Sequence, residues 1–437
     1  MTLDDLKAAL GLADAGASLH ALASRLYPLC RSITGDGVRE TLAILKEWAP
    51  LEIHEVPSDS PALDWTVPKE WNCRAAWVKK PDGGYLLDFA DHNLHVVGYS
   101  SPIHRKLPLS ELRPRLHSLK DKPDLIPYRN TFFKEDWGFC LSWNQARDLP
   151  EGEYEVFIDS TLAPGSLTFG ELVLPGKTAE EILFSAHVCH PSLANDNLSG
   201  IGIAIHLAAY LAKIPHRYTY RFVFAPVTVG AITYLSRRRE EMKNVRHGLV
   251  LALLGDAGNM TYKRSREGNH AVDRAVSHVL HARGLAHRVI DFSPYGYDER
   301  QYGSPGFNLP VGCLMRTPHG EFPEYHTSGD NLSFIKPESL QQSLEVVLQT
   351  VSVLERNASY RNLSPYGEPQ LGRRGVFRAL ADRTDGGGGE MALLWVLNQS
   401  DGDHSLLDIA EKSDLPFDSI RKAAELLQGL ELIEEVR

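Results

Sequence analysis

The chain has 437 residues, which is too long for one compact core of ordinary size, so we expect two or three domains. Its formal net charge of -10 argues against nucleic acid as a partner, and its 43% hydrophobic and 23% charged residues are typical of a soluble globular protein. No apolar run reaches the roughly 18 residues of a membrane span, and the acidic N-terminus does not resemble a signal peptide. We therefore expect a cytoplasmic protein that does not bind membranes.

The first fifty residues have helical periodicity. Leu22, Leu26 and Leu29 lie at helical spacing, and a second amphipathic stretch extends from Gly37 to Trp48. From residue 63 the sequence changes to short alternating runs that are rich in Trp and Pro. This pattern favours a small β-rich unit, which we place at residues 63–150.

Continuous apolar runs of strand length follow residue 150 and alternate with helical patterns. EILFSA, YRFVFA and LVLALL are examples of such runs. They are typical of strands that are covered on both faces, so we predict a three-layer αβα domain built on a mixed sheet. Residues 1–62 and 151–365 would form this domain, and the β-rich insert of residues 63–150 would interrupt it.

The tail, residues 366–437, is predicted to be a separate winged-helix domain. After the glycine run Gly386–Gly389, it shows a helix, a short turn and a further helix. Winged helices often bind DNA, but residues 401–437 carry ten acidic residues against four Lys or Arg. The second helix offers only Arg421 and Lys422 to a phosphate backbone. We therefore expect packing or self-association into a homo-oligomer rather than DNA binding.

Four residues that can bind metal ions follow apolar runs of strand length. In open α/β sheets, sites form at the carboxyl ends of the strands, and two imidazoles with two carboxylates suit zinc. Each residue taken alone is explained equally well as a hydrogen-bonded loop or capping residue. Their repeated position after strands favours metal binding instead. The four residues are His187, Asp196, Asp256 and His326.

The loop after His187 also holds Cys189 and His190, which we predict to support the site without binding the ion.

The order of these motifs carries a resemblance to a known group of enzymes. His187, then A-N-D-N-L-S-G, G-D-A-G and Y-H-T-S-G-D-N, resembles the co-catalytic zinc aminopeptidases, a clan that includes glutamate carboxypeptidase and glutaminyl cyclase. Within that clan, the chain is most similar to bacterial aminopeptidase-like proteins with an inserted β domain and a C-terminal winged helix. Those proteins are often linked to surface polysaccharide or natural-product biosynthesis. The similarity extends over nearly the whole chain, including LYPLCRSITGDGVRETL and FSPYGYDERQYGSPGFNLPVG.

The resemblance implies metal-binding roles for the four residues at matching positions. His187 would bind one ion, and Asp256 would complete its protein ligands. Asp196 would bridge to a second ion, which His326 would bind. The implied cofactor is one or two zinc ions.

The chain departs from the family pattern at one ligand. Relatives carry a glutamate in a stretch resembling P-E-T-I-G, whereas this chain reads FAPVTVG, with Val227 at that position and Pro226 where aminopeptidases keep their general base. Three interpretations follow. The protein is a one-metal hydrolase with Glu321 or Glu324 as the base, or Glu324 replaces the lost ligand, or the pocket has been kept without catalysis.

Two further segments supply residues that can contact a substrate. SPYGYDERQYGSPG offers Tyr297, Asp298 and Arg300, and TYKRSREG offers Arg266. Carboxylates can pair with a substrate amine and arginines with a carboxylate, although a solvated turn with internal ion pairs explains the same residues. His319 is a further catalytic candidate, because its imidazole could donate a hydrogen bond to the transition state.

We therefore predict a zinc-dependent hydrolase of aminopeptidase type. Its substrate would be a short peptide or an aminoacyl small molecule, cleaved at the amino-terminal residue, and its biological setting would be natural-product or polysaccharide biosynthesis. The alternatives are a non-catalytic ligand-binding or scaffold protein, which Val227 favours, and intramolecular aminolysis like that of glutaminyl cyclases.

Overall fold

The computed structural model describes residues 1–374 and 388–436, so the glycine run Gly386–Gly389 lies largely outside the described residues. The chain forms two compact units. The larger comprises Leu3–His270 and Arg288–Glu345, and the smaller comprises Met1–Thr2, Ala271–His287 and Val346–Arg437. The domain boundaries proposed from the sequence stay predictions.

The helices are numbered in chain order. They are α1 (Leu3–Leu10), α2 (Ala15–Leu26), α3 (Asp36–Leu45), α4 (Leu109–Leu112), α5 (Trp143–Ala146), α6 (Gly200–Leu211), α7 (Val229–Arg237), α8 (Ala271–Ala282), α9 (Glu299–Tyr302), α10 (Pro337–Arg356), α11 (Gly388–Gln399), α12 (Leu406–Ser413) and α13 (Phe417–Gly429). None of the helices in residues 1–374 and 388–436 combines the length and apolar character needed to cross a membrane.

The strands are numbered in the same way. They are β1 (Glu52–Pro57), β2 (Pro61–Ala62), β3 (Trp65–Thr66), β4 (Glu70–Lys79), β5 (Tyr85–Asp88), β6 (Ile103–Pro108), β7 (Leu116–His117), β8 (Phe139–Cys140), β9 (Glu153–Ala163), β10 (Ser166–Leu174), β11 (Glu181–His187), β12 (Thr219–Ala225), β13 (Val245–Leu251), β14 (Met260–Lys263), β15 (His287–Ile290), β16 (Val311–Met315), β17 (Ser359–Asn362), β18 (Asp401–Ser405) and β19 (Ile433–Glu435).

A mixed sheet of eight strands is the centre of the larger unit. Its order is β1-β10-β12-β11-β13-β16-β14-β15. The four central strands β12, β11, β13 and β16 are parallel to one another. β1 pairs with β10, β10 with β12 and β14 with β16 in the antiparallel direction. β11 and β12 are buried at every position, which explains their mainly apolar sequences. α6 is buried along its whole length and packs against β11, β12 and β13. The predicted mixed α/β sheet is confirmed.

The β-rich segment forms a four-stranded sheet in the order β5-β4-β9-β6. Alternate residues of β9 point inward, where Tyr154, Val156 and Ile158 are buried. β9 joins this sheet from beyond residue 150.

The smaller unit contains the fold expected for the tail. β18, β17 and β19 form a three-stranded sheet, and α11, α12 and α13 pack together. On α13, Arg421 pairs with Asp418 and Glu425 at 2.6 and 2.5 Å, and Lys422 pairs with Asp418 at 2.9 Å. Both basic side chains of this helix therefore form ion pairs with acidic side chains on the same helix.

Candidate metal centre

The site begins where β11 ends. His187 is the last residue of β11, and the chain then passes through the helical turn Ala194–Ser199 into α6. The Nε2 atom of His187 lies 2.8 Å from Oδ1 of Asp196, and Nε2 of His326 lies 3.1 Å from Oδ2 of the same carboxylate. The structure therefore brings these three predicted ligands together, with one imidazole on each oxygen of Asp196.

The group is buried on one side and open on the other. The side chains of His187 and Asp196 are 1% and 0% exposed, whereas that of His326 is 34% exposed. Solvent therefore reaches the group at His326.

His190 joins this group, although the sequence analysis gave it only a supporting role. Single ligand atoms of His187, His190 and Asp196 all lie within 4.8 Å of one another, and His190 Nδ1 is 3.8 Å from Asp196 Oδ1. That Nδ1 atom is buried and has no hydrogen-bond partner within residues 1–374 and 388–436, which is unusual for a polar atom unless a ligand satisfies it. Two imidazoles and a carboxylate are a donor set that zinc accepts. The H-V-C-H spacing after a buried strand was the signal in the sequence.

The charge states of the group suit a cation. Burial lowers the pKa of His190 to about 3, so this imidazole is neutral at physiological pH, and neutral imidazole is the form that binds metals. Burial alone would raise the pKa of Asp196, but His190, His187 and His326 together hold that pKa well below its usual range. The carboxylate is therefore an anion between imidazoles.

Asp256 occupies a different environment from the other predicted ligands. Its Oδ1 accepts from Gly258 N at 2.7 Å and Thr317 Oγ1 at 2.6 Å, and its Oδ2 accepts from Asn195 Nδ2 at 3.0 Å. Within residues 1–374 and 388–436, no group of three close metal-binding side chains includes Asp256. The structure thus connects Asp256 to the metal-binding loop through Asn195, and its role as a ligand stays a prediction.

Asp330 holds the loop that carries Asp196. Its two carboxylate oxygens accept the backbone N–H groups of Asn195 at 2.5 Å and Asp196 at 2.9 Å, and its carbonyl accepts that of Ala194 at 2.9 Å. Burial raises the pKa of Asp330 and the nearby Asp196 raises it further, but the N–H groups that point at both of its oxygens favour the ionised carboxylate. Asp330 follows His326 by four residues, so it connects the His326 loop to the loop that carries Asp196. We call His187, His190, Asp196 and His326 the metal group.

The β-rich insert also contributes to the site. Tyr128 N donates to His326 O at 2.8 Å, and Ser328 N donates to Ile126 O at 2.8 Å, so this segment of the insert pairs with the His326 loop. The buried Tyr128 ring meets His190 and His326 edge-on, with centroid distances of 5.2 and 5.1 Å. The sequence analysis did not identify Tyr128, because nothing in its own segment marks it.

The loop at Val227 has a strained backbone that the buried Asp298 and the half-buried Arg300 support. Thr228 has a positive φ of 63°, and it donates from its N–H to Asp298 Oδ1 at 2.8 Å. Arg300 donates to Thr228 Oγ1 at 2.9 Å. Burial raises the pKa of Asp298 to about 6. Val227 packs against the main core, and its N–H donates to Cys189 Sγ at 3.3 Å.

The remaining predicted residues divide into near and distant sets. Tyr297 stacks on His187 with 5.1 Å between centroids, and His319 meets Tyr297 at 5.7 Å. Glu321 is half exposed and pairs with Arg288 at 2.7 Å, and Arg266 donates to Asn308 at 3.0 Å. Glu324 lies two residues before His326 in the chain. Glu321 and Arg266 therefore have surface partners of their own.

Tyr128 gives a first testable prediction. Replacing Tyr128 by Ala removes the ring between His190 and His326, so we expect zinc affinity to fall about tenfold, the lower end of the range for residues that orient ligands. Tyr128→Phe keeps the ring and should retain wild-type affinity. Competition with a chromophoric chelator measures the affinity, and the absorption spectrum of the cobalt-substituted protein reports ligand geometry. An unchanged spectrum in Tyr128→Ala would contradict the positioning role.

Comparison with known families places this site in context. Residues 20–357 match the model of a domain of unknown function, DUF4910, and residues 358–435 match a winged helix-turn-helix model. A Clostridium acetobutylicum protein is 47% identical over 423 residues, covering 97% of both chains. Its name is "Putative polysaccharide biosynthesis protein with aminopeptidase-like domain".

Solved structures show the same fold. The crystal structure of a "putative peptidase" from Clostridium acetobutylicum has a TM-score of 0.92 and 46% identity, and the similarity covers 96% of each chain. The zinc aminopeptidase BSAP from Bacillus subtilis has a TM-score of 0.58 at 13% identity, covering 78% of this chain and 94% of that one. At such low identity the second similarity establishes the fold alone. The predicted aminopeptidase-type fold and winged helix are confirmed.

Proposed function

Because this chain belongs to the DUF4910 family and has an aminopeptidase-like fold, we propose that it is a metal-dependent hydrolase of amide bonds. The proposed substrate is a short peptide or an aminoacyl conjugate, cleaved at the amino-terminal residue. Polysaccharide biosynthesis, which the name of the Clostridium relative mentions, is the proposed setting.

One observation carries this proposal. Asp196 is a buried carboxylate with His187 and His326 on its two oxygens and His190 beside it. Burying one carboxylate and its surrounding imidazoles costs desolvation free energy, because buried polar atoms are normally satisfied by hydrogen bonds. A bound metal ion would offset that cost. His190 Nδ1 lacks a partner among the described residues, and zinc binding would supply one.

The residues of the chain suggest how the reaction would proceed. His187, Asp196 and His326 would hold a zinc ion, which would supply a Lewis acid that makes water more acidic and polarises a carbonyl oxygen. The partly exposed His326 borders the side from which an amide would enter. His319 is the proposed hydrogen-bond donor to the transition state. Of the two proposed bases, Glu321 is engaged with Arg288, which leaves Glu324 as the better candidate.

A non-catalytic ligand-binding protein is the second candidate function. Val227 favours it, because the valine side chain cannot coordinate a cation. The backbone N–H of Val227 donates to Cys189 Sγ. Metal content alone does not separate the two candidates, since a binding protein can retain its ion. Turnover and metal stoichiometry have to be measured together.

Val227→Glu tests the proposed function directly. The substitution restores a carboxylate at the position where relatives have one, so we expect the zinc content to rise from about one towards two equivalents. Turnover of an aminoacyl anilide should rise with it. Elemental analysis and anilide hydrolysis measure the two quantities. Val173→Glu, on an exposed position of β10, is the matched control. Wild-type protein without bound zinc, and unchanged values in Val227→Glu, would contradict the proposal.

A further inference from the structure

A cluster of aromatic side chains surrounds His319 next to the metal group. Its ring lies 5.3 Å from Tyr295, 5.7 Å from Tyr297 and 6.3 Å from Tyr325. We call these four residues the His319 cluster. Tyr295 is 72% exposed, so the cluster reaches the protein surface.

The same cluster contacts the metal group directly. Tyr297 stacks on His187 with an interplanar angle of 15°, and Tyr325 stacks on His326 at 4.0 Å and 14°. A ligand that lies on the His319 cluster is therefore one aromatic layer away from two imidazoles of the metal group. The cluster is well placed to hold the part of a substrate next to the scissile bond.

Four buried polar atoms in this region lack partners among the described residues, namely Nδ1 of His319, the hydroxyl oxygen of Tyr297, Nε of Arg300 and Oε2 of Glu299. Of these, Nδ1 of His319 is at the centre of the cluster, and Glu299, the residue that carries Oε2, is 0% exposed. Glu299 also acts on His319, whose pKa is lowered by burial and raised again by this carboxylate. Buried polar atoms are usually hydrogen-bonded, so these two atoms indicate a bound group that donates to Glu299.

The charges of the region are already balanced. Lys263 Nζ donates to the other oxygen of Glu299 at 2.8 Å, and both side chains are buried. Asp298 and Arg300 both contact Thr228, and burial raises the pKa of Asp298 although Arg300 opposes that shift. A substrate ammonium would add an uncompensated charge beside the Lys263–Glu299 pair, which is costly at a buried site. A neutral hydroxyl group can donate to Glu299 without that cost.

From these observations we infer that the His319 cluster binds a carbohydrate ring, and that the amine half of the scissile amide is an amino sugar. Tyrosine faces pack against the C–H face of a sugar ring, and sugar hydroxyls supply the donors that Glu299 Oε2 and His319 Nδ1 lack. This inference rests on the proposed amide hydrolysis. Water adds to the acyl carbon, the C–N bond breaks, and the amine leaves with a proton from water. The products are a carboxylic acid and a free amino sugar.

Ligand binding to the zinc-loaded full-length protein tests the inference without turnover. N-acetyl-D-glucosamine and L-leucinamide are titrated separately by saturation-transfer difference NMR. We expect the sugar to bind more tightly than leucinamide. His319→Ala and Tyr295→Ala should each weaken sugar binding about tenfold, which corresponds to the loss of one good contact. Tyr85→Ala, which removes an exposed tyrosine of β5, is the control and should change nothing.

The outcomes separate this inference from the proposed function. Tighter binding of leucinamide, or sugar binding that both cluster variants leave unchanged, overturns the carbohydrate site. If an aminoacyl anilide is still cleaved in that case, the hydrolase proposal stands. If the sugar binds at the cluster but neither wild-type nor Val227→Glu protein cleaves an aminoacyl anilide, the hydrolase proposal fails and the sugar site stands.

Discussion

Replacing Asp196 by asparagine is expected to lower zinc affinity by more than about a hundredfold, beyond the range seen when residues behind a ligand are changed. The carboxylate contacts His187 at 2.8 Å and His326 at 3.1 Å, and His190 lies 3.8 Å away. Asparagine keeps the shape but removes the negative charge that balances a cation. Competition with a chromophoric chelator measures the affinity, and activity should be lost in parallel.

The stability of metal-free Asp196→Asn shows whether this variant binds zinc weakly because it lacks a ligand or because it is misfolded. Asp196 is fully buried and its lowered pKa means that the anion stabilises the fold, so Asp196→Asn should have a lower urea midpoint in EDTA than wild type but should still unfold in one cooperative transition. Asp159→Asn removes the same charge from an exposed pair with Arg74 and serves as the control. Zinc affinity of Asp196→Asn within about threefold of wild type would rule out Asp196 as a ligand.

Replacing Asp330 by alanine is expected to have the second-largest effect, and this effect is on stability. The carboxylate accepts the buried N–H groups of Asn195 and Asp196, and each N–H left without a partner costs about 1 to 3 kcal/mol. We therefore expect the free energy of unfolding to fall by about 3 kcal/mol, measured by urea denaturation in EDTA. Zinc affinity should fall about 10 to 100-fold as well, because the Asp196 loop loses its support.

Two further variants sharpen this test. Asp330→Asn is isosteric but turns an NH₂ group towards one of the two backbone N–H groups, so it should destabilise the protein nearly as much as alanine. Asp291→Ala removes a carboxylate that is 92% exposed and should leave both measurements unchanged. Normal stability of Asp330→Ala would show that water or a backbone shift satisfies the freed N–H groups.

Several features of the site were predictable from local patterns. His187 follows a fully buried strand, Asp196 precedes the apolar helix α6, and His326 stands in Y-H-T-S-G-D-N, so strand ends alone suggested them as ligands. The departure at Val227 was visible only through the resemblance to the zinc aminopeptidases, whose members carry a glutamate at that position. Local patterns work here because the carboxyl ends of neighbouring parallel strands meet at one edge of a sheet.

Other features depend on contacts between distant parts of the chain. His190 was assigned a supporting role because its sequence position does not reveal that its ring turns towards Asp196. Tyr128 and Asp330 reach the site across separations of 198 and 134 residues. Asp256 matches a ligand motif, yet its carboxylate is hydrogen-bonded to Thr317, Gly258 and Asn195.

The mixed α/β sheet, the β-rich insert, the winged helix and the main candidate metal ligands could be predicted from the amino-acid sequence. Periodicity and strand ends are local properties, and burial of apolar runs follows from them. The three-dimensional packing was needed to show which imidazoles surround Asp196, that the insert reaches the site through Tyr128, and that the aromatic cluster at His319 adjoins it. These features depend on how loops that are distant in the sequence pack against one another. Loops have no regular repeat, so a periodic sequence pattern cannot predict where their side chains point.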